Sequence, residues 1–148
     1  MNDRYDAERQ VARTIALEAA EVVLDWHRKG VEVKWKGEDD PVTSADHAAN
    51  ELIIARLEKA FPDDAILSEE SRDDLARLEA KRLWTIDPLD GTKDFVTGTG
   101  DFAVMIGLVV DGRPVVGAVC KPLGMHLWHA AAGEGALLEV PGEEPRQL

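Results

Sequence analysis

The second half of the chain contains apolar segments that fold back on one another, and this feature restricts the fold most. Residues Phe102 to Val110 are almost all apolar, and Asp111-Gly112 follows them directly. The Asp-Gly pair is favoured in the tight turns of β-hairpins, and Pro114 to Cys120 supplies a returning strand. Leu127 to Ala132 and Ala136 to Val140 form a second pair. This half therefore predicts an antiparallel sheet.

The first half has the apolar spacing of helices. Between Tyr5 and Lys29, apolar residues recur every three or four positions, which predicts a helix that Gly30 ends. Val31 to Lys36 alternates like a short strand, and residues 37–41 are typical of a loop. A second helix is predicted from Thr43 or Ser44 to Ala60.

Between these helices and the hairpins, the pattern predicts a strand over Ala65–Ser68, a charged surface helix over Arg72–Lys81, and a strand over Leu83–Ile86 that ends on Asp87. The elements do not alternate strictly, so we predict a layered α+β fold with two long helices on one face of a largely antiparallel sheet. We expect one domain over residues 1–140 and a linker or tail over residues 141–148.

The charge balance restricts the partners. The formal net charge is −12, which opposes binding to nucleic-acid polymers or anionic membranes. It would also repel a phosphorylated metabolite unless bound cations reversed the local charge. There is one cysteine, Cys120, which we interpret as a reduced core thiol. No apolar run is long enough to span a bilayer and the N-terminus is polar, so we expect a soluble cytoplasmic protein.

The most informative segment is Asp87-Pro88-Leu89-Asp90-Gly91-Thr92, which follows an apolar strand. In this turn Asp87 and Asp90 can converge on one cation, and the Leu89 carbonyl is a third hard oxygen ligand of the kind that Mg²⁺ prefers. The N–H groups of Gly91 and Thr92, at the start of a short helix, can receive a phosphate oxygen. The segment therefore predicts a combined metal and phosphate site.

Other acidic residues support this interpretation only through their positions. Glu69 and Glu70 follow a strand and can supply a metal ligand and an outer partner, although such a pair is most often a solvated surface pair. Asp46 near a helix start would alone be a carboxylate placed against the helix dipole. Thr92 would alone pass as a helix cap.

Four ordered segments resemble the lithium-sensitive, magnesium-dependent phosphatases that include inositol monophosphatase and the 3'(2'),5'-bisphosphate nucleotidases. They are Pro41 to Asp46, Leu67 to Glu70, Asp87 to Phe95, and the Trp128 to Ala136 stretch with its Gly133-x-Gly135-Ala136. The resemblance implies the N-terminal half of an α-β-α-β-α phosphatase sandwich. Lys93 before an acidic residue and Phe95 is more similar to the bisphosphate nucleotidase branch.

The resemblance also implies residue roles. Glu69, Asp87 and the Leu89 carbonyl would bind one Mg²⁺, and Asp87 with Asp90 would hold a second, with inhibition by Li⁺. Asp46 and Thr92 would take a proton from the water that attacks phosphorus. The substrate would be contacted by Glu69, Leu89, Asp90, Gly91 and Thr92.

The expected activity is hydrolysis of a phosphomonoester, first of all adenosine 3',5'-bisphosphate, with an inositol-phosphate or histidinol-phosphate ester as the alternative. Family members are about twice this length and carry a Trp-Asp-x-Ala motif that completes the second metal site, whereas no Trp-Asp dipeptide occurs here. We therefore expect one retained Mg²⁺ site, little turnover by this chain alone, and exposed apolar surface that favours a homodimer. A non-catalytic metal- or phosphate-binding module is the alternative from another class.

Overall fold

A computed structural model describes residues 3–34, 41–71, 73–97 and 99–148. Within these ranges the structure contains three α-helices and seven strands. The helices are α1 (Asp6–Lys34), α2 (Pro41–Ala60) and α3 (Thr92–Thr97), and one-turn 3₁₀ helices lie at Asp3–Tyr5 and Ala76–Leu78. The strands are β1 (Ala65–Ser68), β2 (Arg82–Asp90), β3 (Ala103–Val110), β4 (Arg113–Lys121), β5 (His126–Ala131), β6 (Gly135–Glu139) and β7 (Arg146–Gln147).

The strands form a single sheet in chain order from β1 to β7. β1 runs parallel to β2, and every later neighbour is antiparallel. Asp111 and Gly112 join β3 to β4 with φ angles of 49° and 77°, which is the pair of positive φ values that a type I′ hairpin turn requires. The predicted hairpins are therefore confirmed. Residues 146–147 add an edge strand that the sequence pattern did not indicate, and the division into a domain and a linker stays a prediction.

The two long helices cover one face of the sheet, which confirms the predicted α+β layering. The hydrophobic core joins α1 and α2 to the inward rows of the strands. Ile53 and Leu57 of α2 are fully buried, as are Trp84 of β2 and Leu108 of β3, which are cross-strand partners. Burial of such side chains contributes about 1.5–3 kcal/mol each.

A partly buried ionic cluster connects α1 to strands β5 and β6. The Arg13 guanidinium donates two hydrogen bonds to the Glu139 carboxylate, at 2.5 and 2.6 Å. His129 Nε2 lies 2.7 Å from the same carboxylate. Burial lowers the pKa of His129, and this outweighs the opposite effect of its hydrogen bond to Glu139. The hydrogen bond from Arg13 lowers the pKa of Glu139, so the Arg13–Glu139 pair is ionised at neutral pH.

Several element boundaries differ from the predicted ones. α1 continues through Gly30 to Lys34, so the predicted stop and the strand over 31–34 are wrong. A glycine inside a helix costs only about 1 kcal/mol, which α1 tolerates. Residues 35–40, which include the rest of that strand and most of the predicted loop, lie outside the described residues. α2 begins at Pro41 and not at Thr43 or Ser44, because proline suits the first helical turn.

The charged surface helix predicted over 72–81 is also wrong within the residues described there. Only the single turn Ala76–Leu78 forms. The side chains of Asp73 and Asp74 accept hydrogen bonds from the N–H groups of Leu75 and Ala76, and Leu75 has a φ of 66°. Such side-chain hydrogen bonds compete with a helix, and the left-handed residue interrupts it.

None of the described helices combines the length and apolar character needed to cross a membrane.

Candidate metal and phosphate site

The parallel pairing of β1 and β2 brings two acidic segments side by side. Ser68, the last residue of β1, is the cross-strand partner of Ile86 in β2. The Glu69 N–H then donates to the Ile86 carbonyl at 3.3 Å, so Glu69 leaves β1 directly beside Asp87. The two segments thus lie side by side, and their sharing of a metal ion stays a prediction.

A bulge in β2 places Asp87 and Asp90 on the same face of the sheet. Asp87 pairs with Met105 and Asp90 pairs with Ala103, so three residue steps on β2 oppose two steps on β3. In a regular strand, residues three apart would point to opposite faces. The extra residue of the bulge removes this alternation. β2 therefore extends past Asp87, where the strand was predicted to end, and presents both carboxylates to one side.

Negative charge is concentrated around Asp87. Burial raises the pKa of Asp87 to about 6, with further contributions from the charges of Glu69, Asp90 and Glu70. The hydrogen bond that Asp87 accepts from the Leu89 N–H, 3.2 Å long, opposes this rise. A carboxylate that is partly desolvated and surrounded by like charges is destabilised in its ionised form. A cation placed among these groups would remove that penalty.

The donor chemistry fits a hard divalent cation. Every candidate ligand is a carboxylate or carbonyl oxygen, the type that Mg²⁺ and Ca²⁺ prefer. Within the described residues, however, no group of three or more acidic, histidine or cysteine side chains is already arranged to hold an ion. Glu69 and Asp90 are exposed while Asp87 is half-buried. Binding of a cation would therefore require the two exposed side chains to converge on Asp87.

The Gly91-Thr92 turn is held in place by close contacts. Gly91 has a φ of 86°, and a Cβ on it would lie 2.6 Å from the Asp101 carbonyl oxygen. Only glycine fits there without strain. After this turn α3 begins at Thr92, and Phe95 of α3 packs edge-on against Phe102 with the ring centroids 5.2 Å apart. The backbone of the turn is thus fixed on both sides.

A buried polar network ties the Glu69 segment to α2. The Ser68 hydroxyl donates to the Asn50 side-chain oxygen at 2.5 Å, and the Asn50 amide nitrogen donates to the Ser71 hydroxyl at 2.9 Å. The Glu70 N–H in turn donates to the Ser68 oxygen at 3.2 Å. Sequence reasoning missed Asn50 and Ser68. One sequence signal could have indicated Asn50: it is a polar residue four positions after Asp46, beside the apolar stripe of α2.

The two predicted catalytic residues lie on neighbouring helices. Asp46 is buried in the second turn of α2 and not in its first turn, because α2 starts earlier than predicted. Thr92 is exposed at the start of α3, which contacts α2. Leu89 is buried between the two aspartates. The pairing of Asp46 with Thr92 and the use of the Leu89 carbonyl as a ligand stay predictions.

The carboxylates line one end of an open cleft of about 720 Å³. Glu69, Asp87 and Asp90 form its acidic end, while Leu67 and Met105 belong to its apolar part. This volume lies within the range of sites for small molecules, about 300–1,000 Å³. The cleft is therefore large enough for a small-molecule ligand.

Comparison with known proteins places this geometry in a family. The family model described as the inositol monophosphatase family matches residues 2–146. The 3'(2'),5'-bisphosphate nucleotidase CysQ of Salmonella typhimurium is 41% identical over 107 residues, which cover 72% of this chain and 44% of that protein. The histidinol-phosphatase of Chlorobaculum parvum is 38% identical over 130 residues, which cover 87% of this chain and 49% of that protein.

A solved structure agrees with these matches. The crystal structure of CysQ from Bacteroides thetaiotaomicron, a bacterial member of the inositol monophosphatase family, superimposes with a TM-score of 0.80 at 32% identity. The match covers 98% of this chain and 54% of that one. The chain thus spans about half the length of the relatives it matches. The resemblance found in the four ordered segments is confirmed, and the chain belongs to the inositol monophosphatase family.

Proposed function

We propose that this chain provides the divalent-metal and phosphate site of a phosphomonoesterase. The observation that carries the proposal is the bulge in β2, which presents Asp87 and Asp90 on one face beside Glu69. The raised pKa of Asp87 supports it, because burial and then the charges of Glu69 and Asp90 destabilise the carboxylate, and a bound cation would offset this. Membership of a family of phosphatases supports the reaction class.

The proposed ligands of one ion are the Glu69 and Asp87 carboxylates and the Leu89 carbonyl, and Asp87 and Asp90 would face a second ion. When bound, Mg²⁺ would neutralise negative charge and polarise the phosphate ester. The amide groups of Gly91 and Thr92 would orient the phosphate oxygens, since their turn is fixed by the close approach of Gly91 to the Asp101 backbone.

Asp46 and Thr92 would handle the proton of the attacking water. We propose that the Thr92 hydroxyl accepts a proton from the attacking water while it gives its own proton to the Asp46 carboxylate, which is buried in α2. Asn50 and Ser68 would act as positioning residues for Glu69 through the network at the end of β1.

For the substrate we propose a 3',5'-bisphosphorylated nucleoside. Lys93 follows the phosphate-binding turn and is exposed, where its ammonium group could pair with a second phosphate. Similarity to CysQ supports this choice, whereas similarity to a histidinol-phosphatase keeps that ester as the alternative. The proposal also includes inhibition by Li⁺ and a cytoplasmic location.

A calorimetric titration tests the metal site. We expect the wild-type 148-residue chain to bind Mg²⁺. The Asp87→Asn variant should lose nearly all of this affinity. Asp63→Asn is the matched control, because Asp63 is exposed after α2 and lies outside the carboxylate cluster. Equal titration of wild type and Asp87→Asn would refute the metal site.

A phosphate-release assay tests the reaction and the substrate. With Mg²⁺ present, we expect adenosine 3',5'-bisphosphate to be cleaved faster than histidinol phosphate or inositol 1-phosphate, with Li⁺ inhibiting. For the 148 residues alone we expect the rate to be low, because the relatives contain about as many residues again outside the aligned part. Tight Mg²⁺ binding with no release from any of the three esters would favour the non-catalytic binding module.

A further inference from the structure

Three aromatic rings from separate parts of the chain meet beside the Gly91-Thr92 turn. Phe95 of α3 and Phe102, which lies just before β3, pack edge-on against each other. The ring of His27, on α1, contacts both of them, with its centroid 5.3 Å from that of Phe95 and 5.0 Å from that of Phe102. We call these three residues the ring cluster. It joins the long helix α1 to the two segments that border Gly91.

Both phenylalanines of the ring cluster are connected to the turn through their own backbone. The Phe95 N–H donates a hydrogen bond to the Gly91 carbonyl at 3.0 Å. On the other side, a Cβ on Gly91 would lie 3.2 Å from the Phe102 Cα. A displacement of either phenylalanine would therefore be transmitted to the backbone of the turn.

The apolar stripe of α1 carries His27 to this cluster. Val23, four residues earlier and so one turn away on the same side of α1, is fully buried in the core. His27 itself is half-buried, whereas Phe95 and Phe102 are only 4% and 1% exposed. A histidine thus continues the apolar stripe at the end of the helix that lies nearest the turn, and its ring covers the two buried phenylalanines.

The helix that starts at the turn depends on such packing. α3 contains only six residues, and helices shorter than about 12 residues are marginal on their own. The rings of His27 and Phe95 meet at an angle of 70°, close to the edge-to-face arrangement that aromatic pairs prefer. Removing the His27 ring would leave a gap against Phe95, into which α3 could move.

We propose that His27 is a positioning residue for phosphate binding. Its ring holds Phe95 and Phe102 in place, and these two residues keep the N–H groups of Gly91 and Thr92 in the orientation that receives phosphate oxygens. His27 acts in this role through ring packing and not through charge. The inference rests on the proposed function, because that function assigns the phosphate to this turn.

Amide hydrogen exchange of the metal-free chain tests the packing step. The Phe95 N–H reports on the turn through its hydrogen bond to Gly91, and the Ala132 N–H, which donates to the Val115 carbonyl at 2.8 Å, reports on the sheet. We expect His27→Ala to accelerate exchange at Phe95 about tenfold and at Ala132 by less than about twofold. His27→Phe should restore the wild-type rate, because it keeps a ring at this position.

A titration with inorganic phosphate at saturating Mg²⁺ tests the binding step. We expect His27→Ala to weaken phosphate binding about five- to tenfold and to leave the affinity for Mg²⁺ unchanged, because Glu69 and Asp87 are held by the pairing of β1 with β2. His27→Phe should bind phosphate like the wild type. Arg28→Ala is the control, since Arg28 is the next residue of the same helix and is exposed; it should change neither affinity.

The outcomes separate this proposal from the proposed function. Equal phosphate binding by wild type and His27→Ala would overturn the role of His27 and leave the phosphate site standing. Equal acceleration of exchange at Phe95 and Ala132 would overturn it as well, because His27 would then stabilise only the fold as a whole. A loss in His27→Phe as large as that in His27→Ala would show that packing is not the cause. A wild-type chain that binds Mg²⁺ but no phosphate would instead refute the phosphate assignment of the turn, and this proposal with it.

Discussion

Asp87→Asn is expected to stabilise the metal-free protein at neutral pH while it removes metal binding. In the folded state the pKa of Asp87 is raised to about 6 from an ordinary value of 3.8, chiefly by burial and then by the neighbouring Glu69 and Asp90. Each pKa unit corresponds to about 1.4 kcal/mol, which sets an upper bound of about 3 kcal/mol. Because the group lies in an open cleft where water screens charge, we expect about 1–2 kcal/mol.

The pH dependence has a defined sign. Since the folded pKa of Asp87 is above the unfolded one, the native state binds the proton more tightly. The stability associated with this proton is fully present below pH 3.8 and is lost as the pH rises through about 6. The advantage of Asp87→Asn should therefore be largest above pH 6 and should disappear near pH 4. The asparagine oxygen can still accept the hydrogen bond from the Leu89 N–H.

Urea unfolding of the metal-free wild type, Asp87→Asn and the control Asp63→Asn at several pH values measures these differences. Repeating the series with Mg²⁺ at about one hundred times its Kd should reverse the order, because such binding stabilises the native wild type by about 2.7 kcal/mol. A loss of stability in Asp87→Asn that is equal at all pH values would refute the reasoning. Equal stabilisation of both proteins by Mg²⁺ would refute the assignment of Asp87 as a ligand.

Three other predictions follow from contacts described above. Gly91→Ala should cost about 2–4 kcal/mol in urea unfolding, because its Cβ would meet the Asp101 carbonyl at 2.6 Å and its φ is positive; an unchanged midpoint would contradict the tight turn. Arg13→Ala should cost about 1–2 kcal/mol at pH 7, and the loss should shrink below pH 4.5 as Glu139 becomes protonated; a constant loss down to pH 3 would contradict the ionic pairing. Cys120 is buried with its pKa raised to about 12, so a disulfide reagent at pH 8 should label it in urea and not in the native protein; rapid native labelling would contradict its burial.

The sequence allowed the hairpins and the site segments to be predicted because their determinants are local. Asp111-Gly112 specifies its turn through its own φ angles. Glu69 and Asp87 were singled out because they are carboxylates directly after predicted strands. These inferences needed only residue type and spacing.

The remaining features depend on residues far away in the chain. The bulge between Asp87 and Asp90 is defined by the pairing of β2 with β3; Pro88 within it is compatible with a bulge but does not fix the register. Likewise, the low helix propensity of glycine predicts a helix end at Gly30, yet α1 continues past it. The hydrogen bonds of Asn50 to Ser68 and Ser71 depend on the fold, which places these distant residues beside it.

The bulge in β2 makes the pairing of the segment between Asp87 and Asp90 as important as its composition. Up to Asp87, β2 sends alternate residues into the core, and after the bulge the same strand presents Asp90 on the side of Asp87. Without the bulge, regular alternation over the three steps from Asp87 to Asp90 would turn Asp90 toward the helices. A change in β3 that removed the bulge should therefore abolish the site even if every carboxylate were retained.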